Sequence, residues 1–293
     1  MNQTIDYSRA SRVMIDSMKE YFKKCNLHAA VLGISGGIDS TLVAILMHKV
    51  SQELNSEKYN FTFHGLSLPT LTTPHNEFWA SQMVMHNFCD NFYIEKEMDN
   101  VSNVVINWAR NNGREIMEPL RRGNIKARLR MIYLYDFAKK VNGIVIGTDN
   151  FTEYLLGFST IGGDALFDYN PIQELWKTEV FDMSEMFMNE YVSNGEFEKA
   201  AAIKSSLTLK PMDGLGISSD DMEQIGARNY YDVDVILQWY FEHKGKPGYP
   251  VAIKNPRDGY MIEAAAMEKV IKRHKASEFK RNHPVTVSRT RFA

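Results

Sequence analysis

Val31-Leu32-Gly33-Ile34-Ser35-Gly36-Gly37-Ile38-Asp39-Ser40-Thr41-Leu42-Val43-Ala44-Ile45-Leu46 reads as a buried strand, a turn of small residues and the start of a helix. Such a turn is suited to holding phosphate. Gly36 and Gly37 can adopt positive φ and carry no side chain to block an anion, so successive N–H groups can converge on oxyanions at the helix N-terminus. Ser35, Ser40 and Thr41 add hydroxyl donors. Asp39 is an acid where phosphate would be repelled. It makes sense if a cation such as Mg²⁺ lies between the two, or if it merely caps the helix.

The loop has no lysine of the G-x-x-x-x-G-K-[ST] kind, so no lysine clamp on β and γ phosphates is expected within it. Ser35-Gly36-Gly37-Ile38-Asp39-Ser40 instead resembles the pyrophosphate loop of ATP pyrophosphatases. That family cuts ATP between its α and β phosphates and adenylylates an oxygen of the acceptor. A plain strand-turn-helix would leave the hydroxyls and the acid unexplained.

Around this loop the chain reads as alternating α and β. Residues 8–24 carry Val13, Met14, Ile15, Met18, Tyr21 and Phe22 at near-helical spacing, which predicts an amphipathic helix before the first strand. Further strands are expected at 61–68 and 91–94, each after a helical stretch. Helices at 101–111 and 124–140 then lead to a strand at 143–147. This order predicts a doubly wound parallel sheet with helices on both faces, and ligands beyond the carboxyl ends of its strands. Residues 35–40 and 148–153 should then face one crevice. The polar, Gly- and Pro-containing segment from Ser205 to Asp221 predicts a mobile lid within a single domain of 1–293, and 242–250 predicts another turn.

Composition narrows the function classes. The 293 residues can bury a substantial core, and 34 basic against 36 acidic residues give no field that would draw the chain to nucleic acid or an acidic membrane. Cys25 and Cys89 are the two cysteines, and no apolar run approaches the roughly 20 residues of a bilayer span. With no secretory pattern at the N-terminus, a reducing cytoplasm is the expected location. Four histidines, His64, His75, His86 and His283, lack metal-ligand spacing and read as packing or surface residues. The methionines read as core filler.

A second constellation follows the strand at 143–147: Gly147-Thr148-Asp149-Asn150-Phe151-Thr152-Glu153, then Gly157-Phe158-Ser159-Thr160-Ile161-Gly162-Gly163-Asp164, then Asp168-Tyr169-Asn170-Pro171. With the first loop and Gly123-Asn124-Ile125-Lys126-Ala127-Arg128-Leu129-Arg130-Met131, the chain from about Val31 to Val285 resembles the ammonia-dependent NAD synthetases. The resemblance implies an adenine-nucleotide hydrolase-like fold of the ATP pyrophosphatase type and a homodimeric enzyme. Its chemistry would use ATP and Mg²⁺ to adenylylate the nicotinate carboxylate of deamido-NAD, after which ammonia displaces AMP.

By position in these motifs, residues 33–40, Thr148 and Lys177 would hold ATP, and Asp39 and Glu153 would bind Mg²⁺. Arg128, Asp168 and Lys280 match substrate-contacting positions. Asp164 matches an acid that helps bind ammonium and takes its proton, and Lys177 would neutralise charge growing on the phosphates. Read without the resemblance, Lys177 is an ordinary exposed helix lysine, while Asp164 is equally a turn former or a site acid, Asp168 equally a helix cap or a site residue, and Arg130 equally part of a solvated basic face or a substrate clamp.

The chain departs from the pattern at Ile161 and Met212, and at Phe279 in Ser277-Glu278-Phe279-Lys280-Arg281, where a His-Lys pair is usual. Isoleucine cannot pair with an anion, so the substrate's charge would be met by Lys280, Arg281 or Lys210. No glutaminase setting surrounds either cysteine, so free ammonia is the expected nitrogen source. Two other functions fit the same loop: a transfer-RNA-modifying ATP pyrophosphatase, which would need a basic groove or an RNA-binding domain, and a non-catalytic nucleotide sensor.

Overall fold

The computed structural model describes residues 5–96, 98–113, 118–210, 221–244 and 248–282. Helix α1 (Tyr7–Lys24) precedes β1 (Ala29–Gly33), α2 (Ile38–Ser56), β2 (Thr62–Ser67), α3 (His75–Phe88) and β3 (Asn91–Ile94). Then come α4 (Met98–Asn111), α5 (Pro119–Lys140), β4 (Ile144–Ile146) and α6 (Phe151–Leu156). The remainder is α7 (Lys177–Ser193), α8 (Phe197–Leu207), α9 (Asp221–Ile225), α10 (Tyr230–Glu242), β5 (Ala252–Lys254), β6 (Met261–Glu263), α11 (Ala264–Ala276) and α12 (Glu278–Arg281).

Strands β3, β2, β1 and β4 lie in that order and all run parallel, with Val31 opposite both His64 and Val145. The expected α/β class and wrapped parallel sheet are both present. Alternation along β1 explains the two layers: Ala30 and Leu32 point into a core with α1, α2, α3, α7 and α8, while Val31 packs with Phe137 and Ala138 of α5. The direction in which successive strands are added reverses between β1 and β4, because β2 and β3 extend one way from β1 and β4 lies on the other side. The carboxyl ends of those two strands therefore flank a crevice. A third apolar cluster joins α6, α10 and α11, with Val233, Ile236, Leu237, Met267, Val270 and Ile271 fully buried.

Some expectations need adjustment. Helix α5 begins at Pro119 rather than at 124, with proline in the first turn, where its missing N–H costs no intrahelical bond. The lid expectation covered 205–221, but residues 205–207 end α8 and Asp221 opens α9, while 211–220 lie outside the described residues. The short antiparallel pair β5–β6 had no counterpart in the sequence reading. Cys25 is exposed at the end of α1, whereas Cys89 is only partly accessible, and burial raises the pKa of its thiol.

Candidate active site

The loop after β1 is shaped by what lies behind it. Gly36 has φ +93°, and a Cβ there would stand 2.2 Å from the Glu77 carbonyl oxygen of α3, so only glycine fits. The Gly37 N–H donates to Ser35 Oγ at 3.1 Å, and Ser40 Oγ donates to the Gly37 carbonyl at 3.0 Å. Thr41 Oγ1 donates to the same carbonyl at 2.9 Å and lies 2.8 Å from Ser206 Oγ. Thr41 is fully buried, so its hydroxyl braces the loop instead of facing a phosphate. Gly36 likewise backs onto α3, whereas Gly33, Ile34, Ser35, Gly37, Ile38, Asp39 and Ser40 line the cleft.

That cleft measures about 520 Å³, inside the usual range for small-molecule sites. Thr148 and Asp149, just beyond β4, share it with the first loop, as the strand order requires. Asp39 does not cap α2, whose N-cap is Gly37 with no side-chain bond. Its carboxylate instead accepts from Asn150 Nδ2 at 2.8 Å and from Lys177 Nζ at 2.5 Å. Lys177 also donates to Glu153 Oε1 at 2.9 Å. The three residues predicted to serve phosphate and metal thus meet at one ammonium.

The helix starts explain that meeting. Asn150 is the N-cap of α6 and its Oδ1 accepts from the Glu153 N–H at 3.0 Å, so one amide both fixes Glu153 and reaches Asp39. Lys177 is the first residue of α7 and only 3% exposed, not an exposed helix lysine. Its ammonium lies 5.1 Å from the Tyr230 ring centroid, and the Tyr230 hydroxyl donates to Asp221 Oδ2 at 2.8 Å.

Burial opposes the Lys177 charge, but Asp39 and Glu153 outweigh it and hold its pKa above the ordinary lysine value. Glu153 is pushed up to about 7 by burial and by the Asp39 charge, against the pull of Lys177. Asp149 is raised well above a normal aspartate, by burial first and then by the charges of Asp164, Glu153 and Asp39. Negative charge is therefore disfavoured at this end of the cleft, and a further cation would relieve it.

Among the described residues no group of three or more His, Cys, Asp or Glu is arranged to hold a metal. Two carboxylates beside a phosphate loop nevertheless fit Mg²⁺. That ion is commonly held by one or two carboxylates, with waters and substrate phosphates completing its octahedron. Asp39 and Glu153 already converge on a shared cation in Lys177.

The opposite end of the cleft is built differently. The Thr160 N–H donates to Asp164 Oδ1 at 2.6 Å. Asp164 faces the open cleft while protein crowds its other sides, and that loss of water raises its pKa despite the bond from Thr160 and the charges of Lys280 and Arg130. Lys280 reaches back from α12 to the carbonyls of Gly157 (2.7 Å) and Ser159. Arg130 Nε donates to the Leu68 carbonyl at 3.2 Å, and Arg130 and Arg273 both line the cleft.

Two predicted substrate residues fall outside this cleft. Arg128 is exposed on α5 and donates to the Ile161 carbonyl at 3.2 Å. Asp168 accepts from the Val145 N–H at 2.8 Å and from the Tyr135 hydroxyl at 3.3 Å, which fastens its segment to β4. Any contact these two make with substrate lies beyond the cleft. Arg130, for which a solvated face and a substrate clamp were equally open, lines the cleft. Arg281 is spent on the Leu155 and His274 carbonyls. Phe279 is 60% exposed on α12. Met212 and His283 lie outside the described residues, while His64 packs against Phe137 and His86 against Phe92.

Sequence reasoning missed Asn150, Arg273 and the buried Asp234. The first was visible as an N-cap residue before a helical run, but nothing in the sequence said that its amide would span two motifs.

Residues 10–284 match the family model described as NAD synthase. The chain belongs to the NAD synthase family. It is 28% identical over 275 residues to the NH(3)-dependent NAD(+) synthetase of Thermoplasma volcanium, covering 94% of this chain and 96% of that one. With the synthetase of Methanosarcina acetivorans it shares 32% over 236 residues, 80% of this chain and 82% of the relative. Among solved structures, NAD+ synthetase from Burkholderia pseudomallei superposes with a TM-score of 0.68 at 25% identity, over 96% of this chain and 92% of that one. NMN synthetase from Francisella tularensis superposes at 0.75 and 24% identity, over 97% and 99%. Membership makes the chain an enzyme of NAD synthesis by amidation, a carbon-nitrogen ligase. No helix among the described residues is long and apolar enough to cross a membrane.

Proposed function

We propose that this enzyme amidates deamido-NAD with ammonia through an adenylylated nicotinate carboxylate, releasing pyrophosphate and AMP, and that it works as a homodimer. The observation that carries the reading is the meeting of Asp39, Glu153 and Lys177 beside the glycine turn, at the point where the order of strand addition reverses. The cleft-facing residues of 33–40 and Thr148 bind the ATP phosphates. Asp39 and Glu153 would hold Mg²⁺, which would supply Lewis-acid stabilisation of phosphate charge.

In the first step a carboxylate oxygen of the nicotinate attacks the α phosphorus, and the bond to pyrophosphate breaks. Lys177, moving from the carboxylates to the phosphates, stabilises the charge that gathers on the leaving group. In the second step the ammonia nitrogen attacks the acyl carbon, AMP leaves, and a proton passes from nitrogen to Asp164. The raised pKa of Asp164 makes its carboxylate a stronger base than an ordinary aspartate, which suits that role. Arg130 and Lys280 line the same end and meet substrate charge that Ile161 cannot.

The decisive assay incubates the pure protein with ATP, Mg²⁺, ammonium and deamido-NAD, and follows NAD and AMP together. Equal appearance of both is expected. AMP formed only with added RNA would favour a modifying enzyme, and no product under any condition would favour a sensor. The Francisella likeness and the loss of a cation at Ile161 justify a parallel arm with the corresponding mononucleotide acid. A higher kcat/KM for it would reassign the substrate.

A further inference from the structure

Asp234 lies on α10, away from both sequence motifs, and is 1% exposed. Its Oδ1 accepts from Thr152 Oγ1 at 2.5 Å and its Oδ2 from the Thr178 N–H at 2.9 Å. Thr152, fully buried, passes the connection on: its Oγ1 accepts from the Lys177 N–H at 2.9 Å. Thr152 precedes Glu153 in the first turn of α6, and Thr178 follows Lys177 in the first turn of α7. One carboxylate therefore joins the starts of the two helices that deliver the shared ammonium and its partner.

We propose that Asp234, acting through Thr152 and the Lys177 and Thr178 amides, is a positioning residue that sets the separation of Glu153 and Lys177 for reaction. The inference rests on the roles given above to Lys177 and Glu153. Four arguments support it. Two amide donors at the start of α7 need acceptors inside the protein, and Thr152 and Asp234 supply them. A carboxylate near a helix N-terminus is favoured by the helix dipole, which holds it there. Burial raises Asp234 to about 6 while the bonds from Thr152 and Thr178 pull the other way, so near neutral pH it is mainly an acceptor-only carboxylate. Helix α10 is anchored by Val233, Ile236 and Leu237, all fully buried, so the carboxylate is held by a rigid element.

The test compares Thr152→Val, which keeps shape and loses the hydroxyl, with Thr152→Ser, which keeps the hydroxyl, alongside Asp234→Asn. For Thr152→Val and Asp234→Asn, kcat should fall about ten- to a hundredfold, the scale expected of a small misplacement of reacting groups. Thr152→Ser should recover most of the loss, with thermal midpoints showing that all variants are folded. In a Glu153→Gln background Thr152→Val should change the residual rate by less than about twofold, because the group it positions has gone. A merely structural role would lower the rate by the same factor in both backgrounds, and that result overturns the proposal. So does a Thr152→Val enzyme with normal kcat while Lys177→Met is inactive. Should Lys177→Met itself turn over normally, the site assignment fails first and this inference with it.

Discussion

The two ends of the cleft are built from opposite materials. At one end Asp39 accepts from the side chains of Asn150 and Lys177, and Lys177 also reaches the Glu153 carboxylate, so side chains from three separate segments bond to one another. At the other, Lys280 and Arg130 make their bonds to main-chain carbonyls, and Asp164 takes its bond from a main-chain N–H. Side chains that depend on one another fail together. Side chains resting on backbone can be changed singly, and one expects them to tune what is bound and leave the fold unaffected.

The sharpest way to break this contrast is Lys177→Met. It leaves two inward-facing carboxylates without their cation, so we expect abolished synthesis and a loss of about 3–5 kcal/mol in urea denaturation. Adding Glu153→Gln should restore part of the stability and none of the activity. Equal stabilities of the parent and the single variant would show that the ammonium is not holding the group together. Next in size, Asp39→Asn should retain the fold by circular dichroism and lower kcat by roughly 10²–10³, the loss typical of one removed electrostatic stabiliser.

At the backbone-supported end, Lys280→Met should raise KM for the dinucleotide acid by about tenfold, the worth of one charge-assisted hydrogen bond, with KM for ATP unchanged. A rise confined to ATP would move Lys280 to the wrong end. The smallest effect concerns pH. Glu153 titrates near 7 in the free protein, above its usual value, so its charged form, the one that can ligate a cation, is lost as pH falls through that value. The same sign makes Glu153 a cost to stability above pH 7 that disappears on acidification. Initial rates at limiting Mg²⁺ should therefore show an acid limb near pH 7, and more Mg²⁺ should move it lower, because metal and proton compete for one oxygen pair. A limb that ignores Mg²⁺ would remove Glu153 from the metal site.

The end of the cleft at the glycine turn was largely legible in the sequence because its signals are local. The glycine turn, Asp39, Thr148 and Glu153 all follow strands whose parallel order could be read from hydrophobic runs, and strand order alone brings them together. The Asp164 end was less so. Arg128 and Arg130 are two residues apart on α5, so a helix sends them in different directions, and motif matching alone chose Arg128. Which of the pair lines the cleft depends on how α5 lies against the sheet, a tertiary fact. Lys177 looked exposed because burial of a lysine needs two carboxylates from elsewhere in the chain. Asp234 sits in α10, a helix outside the motifs that were read, and the β5–β6 pair is too short for alternation to register.

Because β1 and β4 are neighbours in the sheet but far apart along the chain, neither half of the molecule contains a working centre. The exposed turn at Gly113 lies between them. A polypeptide divided there would distribute the glycine turn to one fragment and Glu153 with Lys177 to the other. Catalysis would then report directly on reassembly of the pair.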